Sequence, residues 1–543
     1  MIIFKEIFNV LRKINSNSIL PLILLIIFNG FLEVVGISAL IPIITLLVSD
    51  LNNPLIEAYK EIFNISSQVD LLNYAIICFL VIFTLKSFFS LFVYFKQGKF
   101  IHDVEEKLTY SLFKNEIYHD EDSESGVAEK TKIIIDESNQ FSRGVIRSLL
   151  SFLSEFIISI SLITYLLLQD IQSTMIILIV VSIASFIYIS LVGQRLTRLG
   201  IGRIDDETTR LTLVKEFLQN RLKFKIEGFP ESYSYKFSLV LQSLKKNYVI
   251  TALLNNMPKI YFEYIFLFSI CIVILFAVNI NGNYSDIVVS LIIIMAVFMK
   301  IVPSVNRMVT SQQNFKYAQK VITLVKDGLN KKANMQKMKL QLKDFKNINI
   351  AFNGNEIISN SEFIIDKYKV IGIIGESGSG KSTLIRHILG FHGNSLNSPP
   401  YSNVAILEQD STLISGSIRL NIDPSLNVSD KNIFMLMDAI GLGKLLKETQ
   451  FNLDTLIGEQ GLYLSGGQKQ RLLIVKTILS KPEYIILDES TSALDKMTQS
   501  FVISLLSKYC KDSKIILITH RIEMLELCDV VYQLENKKIV KKS

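Results

Sequence analysis

Cysteine is scarce in this chain. Four occur in 543 residues, Cys78, Cys271, Cys510 and Cys528. They show no C-x-x-C spacing and none lies in a segment that reads as extracytoplasmic, which argues against a disulfide framework or a zinc site. Low-complexity sequence is missing too, so the high apolar content belongs to no biased tract. A cleavable leader is not expected: the first apolar run is too long and no small-residue cleavage site follows it. The reading places no separate domain before that run. What is present is hydrophobicity, 49% of residues and a mean hydropathy of +0.37, which points to a membrane protein.

Six apolar runs reach the length of about 20 residues that a bilayer crossing needs. They lie near 20–48, 71–95, 146–168, 174–194, 256–280 and 285–309, and the first is long enough to tilt or project. Segments 1–17, 96–145 and 195–255 are rich in Lys and Arg, whereas the opposite loops 49–70, 169–173 and 281–284 carry only Lys60. The positive-inside rule therefore puts both termini in the cytoplasm. Residues 53–64, NPLIEAYKEIFN, place Leu55, Ile56, Tyr59, Ile62 and Phe63 near one helical face, as an amphipathic helix on the external surface would. The expected organisation is a membrane domain over 1–315, a polar Lys-rich linker over 316–340 and a second domain over 341–543.

That second domain carries the chemistry. GESGSGKS at 375–382 matches the phosphate-binding loop, with an apolar strand (VIGII) before it and a helix after it. Gly375, Gly378 and Gly380 let backbone N–H groups curl around phosphate oxygens, aided by the helix N-terminus. The loop residues Glu376, Ser377, Ser379 and Thr383 complete the expected nucleotide contacts. Lys381 supplies charge to the outer phosphates and Ser382 a hydroxyl to Mg²⁺. Downstream, 464–495 reads LSGGQKQRLLIVKTILSKPEYIILDESTSALD. A Gly-rich turn opens a helix, Pro482 ends it, and the strand YIILD delivers Asp488 and Glu489 to a strand's C-terminal end, where open α/β sheets bind ligands. Adjacent carboxylates there suit a magnesium ion and a water.

Phosphate loop, LSGGQ, ILDE, SALD and His520 in ILITHR occur in the order of the ATP-binding-cassette (ABC) ATPases, which residues 340–543 closely resemble. The implied fold class is an α-helical six-span transmembrane domain plus an α/β phosphate-loop ATPase domain, with ATP and Mg²⁺ as cofactors. The resemblance implies that Asp488 and Gln409 hold Mg²⁺ with Ser382. Glu489 is then the general base for the attacking water, and His520 a γ-phosphate contact. It implies that Ser465, Gly466, Gly467 and Gln468 bind the partner's nucleotide, that Asp495 closes a turn across a dimer, and that Phe352 stacks on adenine. One membrane block with one ATPase is a half-transporter, so a homodimer is expected. Turning points near 120–128 and 225–231 resemble the coupling helices of exporter-type cassette proteins. The segment 382–408 between Lys381 and Gln409 is shorter than is typical of the family.

Cargo must be read from the membrane half, where ionisable residues are functional candidates. Lys86, Lys259 and Lys300 fall at similar levels in the cytoplasmic half of their spans, and in a dimer they suit a cavity for an anionic headgroup. Snorkelling is the bland alternative, and Glu263, one turn from Lys259, is positioned to neutralise it. FLEVVGISALIPIITLL, MPKIYFEY and KIVPSVNRMVTS resemble the PglK-type flippases of lipid-linked oligosaccharides. In that family the corresponding basic positions are arginines, so lysine keeps charge and loses bidentate geometry. The resemblance implies flipping of a lipid-diphosphate-linked glycan between leaflets of the bacterial cytoplasmic membrane, with membrane lipids and no nucleic acid as partners. Export of a peptide or amphiphilic drug is the alternative.

Overall fold

The computed structural model describes residues 2–14, 19–39, 43, 46, 68–117, 127–169, 171–280, 284–330, 344–352, 355–376, 378–389, 403–407, 413–424, 427–443, 452–458, 461, 463–488, 496–519 and 522–542. The chain forms two compact units, divided along the sequence after Lys332.

The first unit is helical. Its elements are α1 (Ile2–Lys13), α2 (Ile19–Ser38), α3 (Gln68–Ile117), α4 (Val127–Lys132), α5 (Arg147–Gln169), α6 (Ile171–Gln219), α7 (Arg221–Glu227), α8 (Glu231–Ile280), α9 (Tyr284–Tyr317) and α10 (Gln319–Asn330). Among the described residues, five helices are long and apolar enough to cross a membrane; the sixth expected run lies within α9. α3, α6 and α8 each run for 49 or 50 residues, about 75 Å at the α-helical rise. That is more than twice the hydrocarbon thickness, so each extends well beyond a bilayer. The surface helix at 53–64 and most of the turning point at 120–128 lie outside the described residues. The turning point at 225–231 is described: α7 ends at Gly228, whose φ of +86° suits glycine. Leu222 and Ile226 are exposed there, beside a cluster of Phe217, Phe224, Phe229 and Tyr233 rings.

One expectation is corrected. Residues 319–330, read as part of a linker, are helical, and Val321, Ile322 and Val325 are fully buried in the core of the first unit. Valine and isoleucine at those spacings share one helical face and pack against α1 and α3.

Two features show which partners this unit gives its buried polar groups. α8 runs through Pro258, whose missing N–H leaves the carbonyl four residues earlier without its helical partner. That carbonyl, Leu254 O, instead accepts from Tyr188 Oη at 3.1 Å and Gln313 Nε2 at 3.1 Å. Helix breaks inside membrane proteins persist because neighbouring helices supply such replacements. The second feature is a charge quartet. α4 passes through π-helical turns at Ile133–Glu137 and Gln140–Ile146 into α5, and Glu137 ends the first of them fully buried. Glu137 Oε2 accepts from Arg203 Nη2 at 3.0 Å, and Arg203 Nη1 donates to Glu207 Oε2 at 3.3 Å. Lys132, 1% exposed, stands 3.6 Å from Glu137 and 3.7 Å from Glu207. Tyr248 donates to Glu207, and the Arg203 guanidinium lies 5.7 Å from the Tyr317 ring. Two cations and two anions thus tie α4, α6, α8 and α9 together. Gly200 lets α6 reach the end of α9, because a Cβ there would stand 1.9 Å from the Tyr317 carbonyl oxygen.

The second unit contains β1 (Phe345–Phe352) and β2 (Asn355–Phe363), an antiparallel pair. It continues with β3 (Val370–Gly375), α11 (Lys381–Ile388), β4 (Val404–Leu407), α12 (Ile418–Ile422), α13 (Asp430–Ala439), α14 (Gly466–Ser480), β5 (Tyr484–Asp488), α15 (Lys496–Tyr509), β6 (Lys514–Ile518), β7 (Val530–Glu535) and β8 (Lys538–Lys541). Among the described residues a sheet runs in the order β4-β5-β6-β3-β7-β8, parallel except for β8. β3, β5 and β6 are nearly continuous Val, Ile and Leu because both sheet faces are covered, one by α12–α15 and the other by α11 with the β1–β2 pair. The neighbouring carboxyl ends of β3, β6 and β5 bring Gly375 and Asp488 to one edge of the sheet.

Candidate nucleotide site and the charged membrane cluster

The site begins where β3 stops. Gly375 leaves the strand in a place where a Cβ would come within 2.6 Å of Ser379 Oγ and 2.9 Å of the Leu534 carbonyl. Gly378 and Gly380 have φ of +81° and +98°, so the chain curls back and enters α11 with its N–H groups pointing into the loop. Lys381 is buried, and its Nζ donates to the carbonyls of Gly375 and Glu376, both at 2.9 Å. Ser382 Oγ donates to Asp488 Oδ2 at 3.3 Å. A hydroxyl and a carboxylate from different elements are thereby brought together, the donor pair expected for Mg²⁺. Ser379 Oγ is buried with no hydrogen-bond partner among the described residues. A buried hydroxyl without a partner is costly, and a phosphate oxygen is the acceptor this loop is shaped to hold. The residues present therefore fit a nucleotide.

At the start of α14, Ser465 and Gln468 form a capping box. Ser465 N–H donates to Gln468 Oε1 at 2.8 Å, and Gln468 N–H donates to Ser465 Oγ at 3.3 Å. Accepting that bond uses a lone pair of the serine and leaves its O–H proton to donate elsewhere. Gly466 has open space where a Cβ would be, so a phosphate can approach the helix N-terminus closely. Ser377, Gln409, Glu489, Asp495 and His520 lie outside the described residues, and Phe352 is described only as the last residue of β1.

In the helical unit the three expected lysines are not equivalent. Lys86 is 5% exposed and its Nζ donates to Glu33 Oε2 at 2.5 Å. Lys300 reaches the same oxygen at 3.5 Å and keeps 43% of its side chain exposed. Lys259 and Glu263 are both exposed, and among the described residues they form no ion pair with each other. The sequence reading missed Glu33, although FLEVVG contains it; a carboxylate inside an apolar run was the available signal. It also missed Glu155, which receives two bonds from Arg307, that from Nη2 being 3.0 Å.

Fold and site together define a membrane-helix block and a phosphate-loop nucleotide-binding domain on one chain. The family model described as ABC transporter matches residues 358–492. Those residues are an ABC ATP-binding domain, which uses ATP with Mg²⁺. The chain is 34% identical over 215 residues to a Rickettsia typhi protein provisionally named an export ATP-binding/permease protein, covering 36% of this chain and 37% of the relative. It is 30% identical over 266 residues to the leukotoxin translocation ATP-binding protein LktB of Mannheimia glucosida, covering 44% of this chain and 37% of the relative. The chain thus spans just over a third of the length of these relatives. A bacterial Atm1-family ABC exporter solved with ATP bound has the same fold, with a TM-score of 0.76 over 98% of this chain and 94% of that one at 17% identity.

Proposed function

We propose that this chain is one half of a homodimeric, ATP-driven exporter of the bacterial cytoplasmic membrane. Its cargo is an amphiphile with an anionic headgroup, of the lipid-diphosphate-linked glycan class, moved from the inner to the outer leaflet. The observation that carries the cargo reading is the charged cluster within the helical unit: two lysines on one carboxylate leave a net positive charge, with Lys300 partly open. In the ATPase domain, Lys381 and the loop N–H groups hold the phosphates, and Ser382 with Asp488 and Gln409 hold Mg²⁺, which supplies charge neutralisation when bound. Glu489 positions and deprotonates the attacking water, and His520 contacts the γ-phosphate. Ser465 and its neighbours act on the partner chain's nucleotide, which makes two chains the working unit.

The test is ATPase activity of the protein in liposomes with a polyprenyl-diphosphate oligosaccharide added. Wild type is compared with a Lys86→Ala/Lys259→Ala/Lys300→Ala variant, and Glu489→Gln serves as the inactive control. Stimulation that disappears in the triple variant is the expected result. Stimulation by peptides in both proteins, with no response to the lipid, would transfer the assignment to peptide or protein export. That second reading is favoured by the likeness to the leukotoxin translocation protein.

A further inference from the structure

We infer that Glu33 is an internal counter-ion that competes with an anionic headgroup for Lys300 and so sets how tightly this charged cluster holds the cargo. This rests on the anionic-cargo reading above. The geometry divides the two lysines. Lys86 is sealed: its ammonium lies 2.5 Å from Glu33 Oε2 and 4.8 Å from the Phe83 ring centroid, and the two paired side chains are 6% and 13% exposed. Its stem passes Gly36, where a Cβ would stand 3.2 Å from Lys86 Cδ. The same pair of helices, α2 and α3, is also joined by Ser90 Oγ donating to Asn29 Oδ1 at 2.8 Å. The α2–α3 contact therefore fixes Glu33 against Lys86. Lys300 comes from α9, touches the same oxygen at the longer distance of 3.5 Å, and remains 43% exposed.

One carboxylate cannot fully satisfy two ammonium groups. The shorter, buried pair takes most of it, and the open lysine is left partly unneutralised, which is the state that attracts a phosphate. An arriving phosphate meets the carboxylate as well as the lysine, and like charges brought together repel. Glu33 thereby weakens the hold on an anion without abolishing it. A carrier needs that weakening, since a headgroup held by unopposed cations would leave slowly.

The experiment measures the half-stimulating concentration of a polyprenyl diphosphate lacking glycan on the ATPase activity of the full chain in vesicles, with uncharged polyprenol as the control lipid. Glu33→Gln removes the competing charge and keeps the side-chain shape. Because it leaves Lys86 buried without a counter-ion, Glu33→Gln/Lys86→Met is measured beside it, removing the sealed pair as a unit. Both variants are expected to lower the half-stimulating concentration by about tenfold with no gain for polyprenol, whereas Lys300→Ala raises it. A half-stimulating concentration that rises in both variants as it does in Lys300→Ala would make Glu33 part of the binding wall and overturn the counter-ion role, leaving the anionic-cargo reading intact. No response of wild type or either variant to the diphosphate, alongside stimulation by a peptide, overturns the cargo reading and this inference with it.

Discussion

Glu137 offers the sharpest test of how the helical unit is held. Glu137→Gln keeps the shape and deletes one charge from a quartet that is neutral in the wild type. Glu137 is fully buried, 3.0 Å from Arg203 and 3.6 Å from Lys132. At an effective dielectric of about 20, a unit-charge pair at 3.0 Å is worth about 5 kcal/mol gross. Part of that returns, because Arg203 keeps Glu207 at 3.3 Å, and removing one member of a buried pair costs about 3–5 kcal/mol in practice. For a unit of this size that corresponds to a fall of about 4–7 °C in Tm. The assay is thermal unfolding of the detergent-solubilised protein at one fixed scan rate, since membrane proteins unfold irreversibly. Lys132→Met/Glu137→Leu removes a cation and an anion together and is expected to recover most of the loss, because apolar groups of similar volume replace buried pairs at little net cost. A Tm unchanged in Glu137→Gln, or a double variant no better than the single one, would refute the view that charge balance stabilises this junction.

Three further outcomes follow from the same geometry. Gly380→Ala places a Cβ 2.5 Å from the Ile357 side chain at a φ of +98°, so ATP binding measured by fluorescence should fall by about tenfold or more, and wild-type affinity would contradict the loop geometry. Asp344 accepts backbone N–H bonds from Asp366 at 3.0 Å and Ile365 at 2.8 Å, and these hold its carboxyl below the usual aspartate range. A depressed folded-state value contributes stability above the unfolded pKa that is lost as pH falls through the folded one. Asp344→Asn should therefore lower Tm at neutral pH and flatten its decline below about pH 4; an unchanged acid limb would show that the residue plays no such part. Burial pushes the Cys528 thiol up to about 11, so a maleimide at pH 7.5 should label it only after denaturation, and rapid labelling of the native protein would rule out the packing against Gly372.

The local patterns of the chain determined a great deal. A strand, a Gly-rich loop and a helix in immediate succession specify a phosphate site, because all the backbone groups that make it lie within about ten residues. Apolar runs long enough to span a bilayer specify membrane helices for the same reason. Residues 319–330 read as a linker in the sequence because a helix of twelve residues with three buried positions looks polar on average. Tertiary structure alone decided the pairings across distance. Ser382 meets Asp488 because β3 and β5 flank β6. Leu254 O finds Tyr188 and Gln313 because α6 and α9 both pack on α8 where Pro258 frees it. Lys86 and Lys300 look alike as isolated cations in apolar runs, yet one is sealed against Glu33 and the other left open. Charge and hydropathy are properties of a residue and can be read in order; the partner that neutralises a buried charge depends on which faces of separate helices are pressed together, and that is settled only when the helices pack.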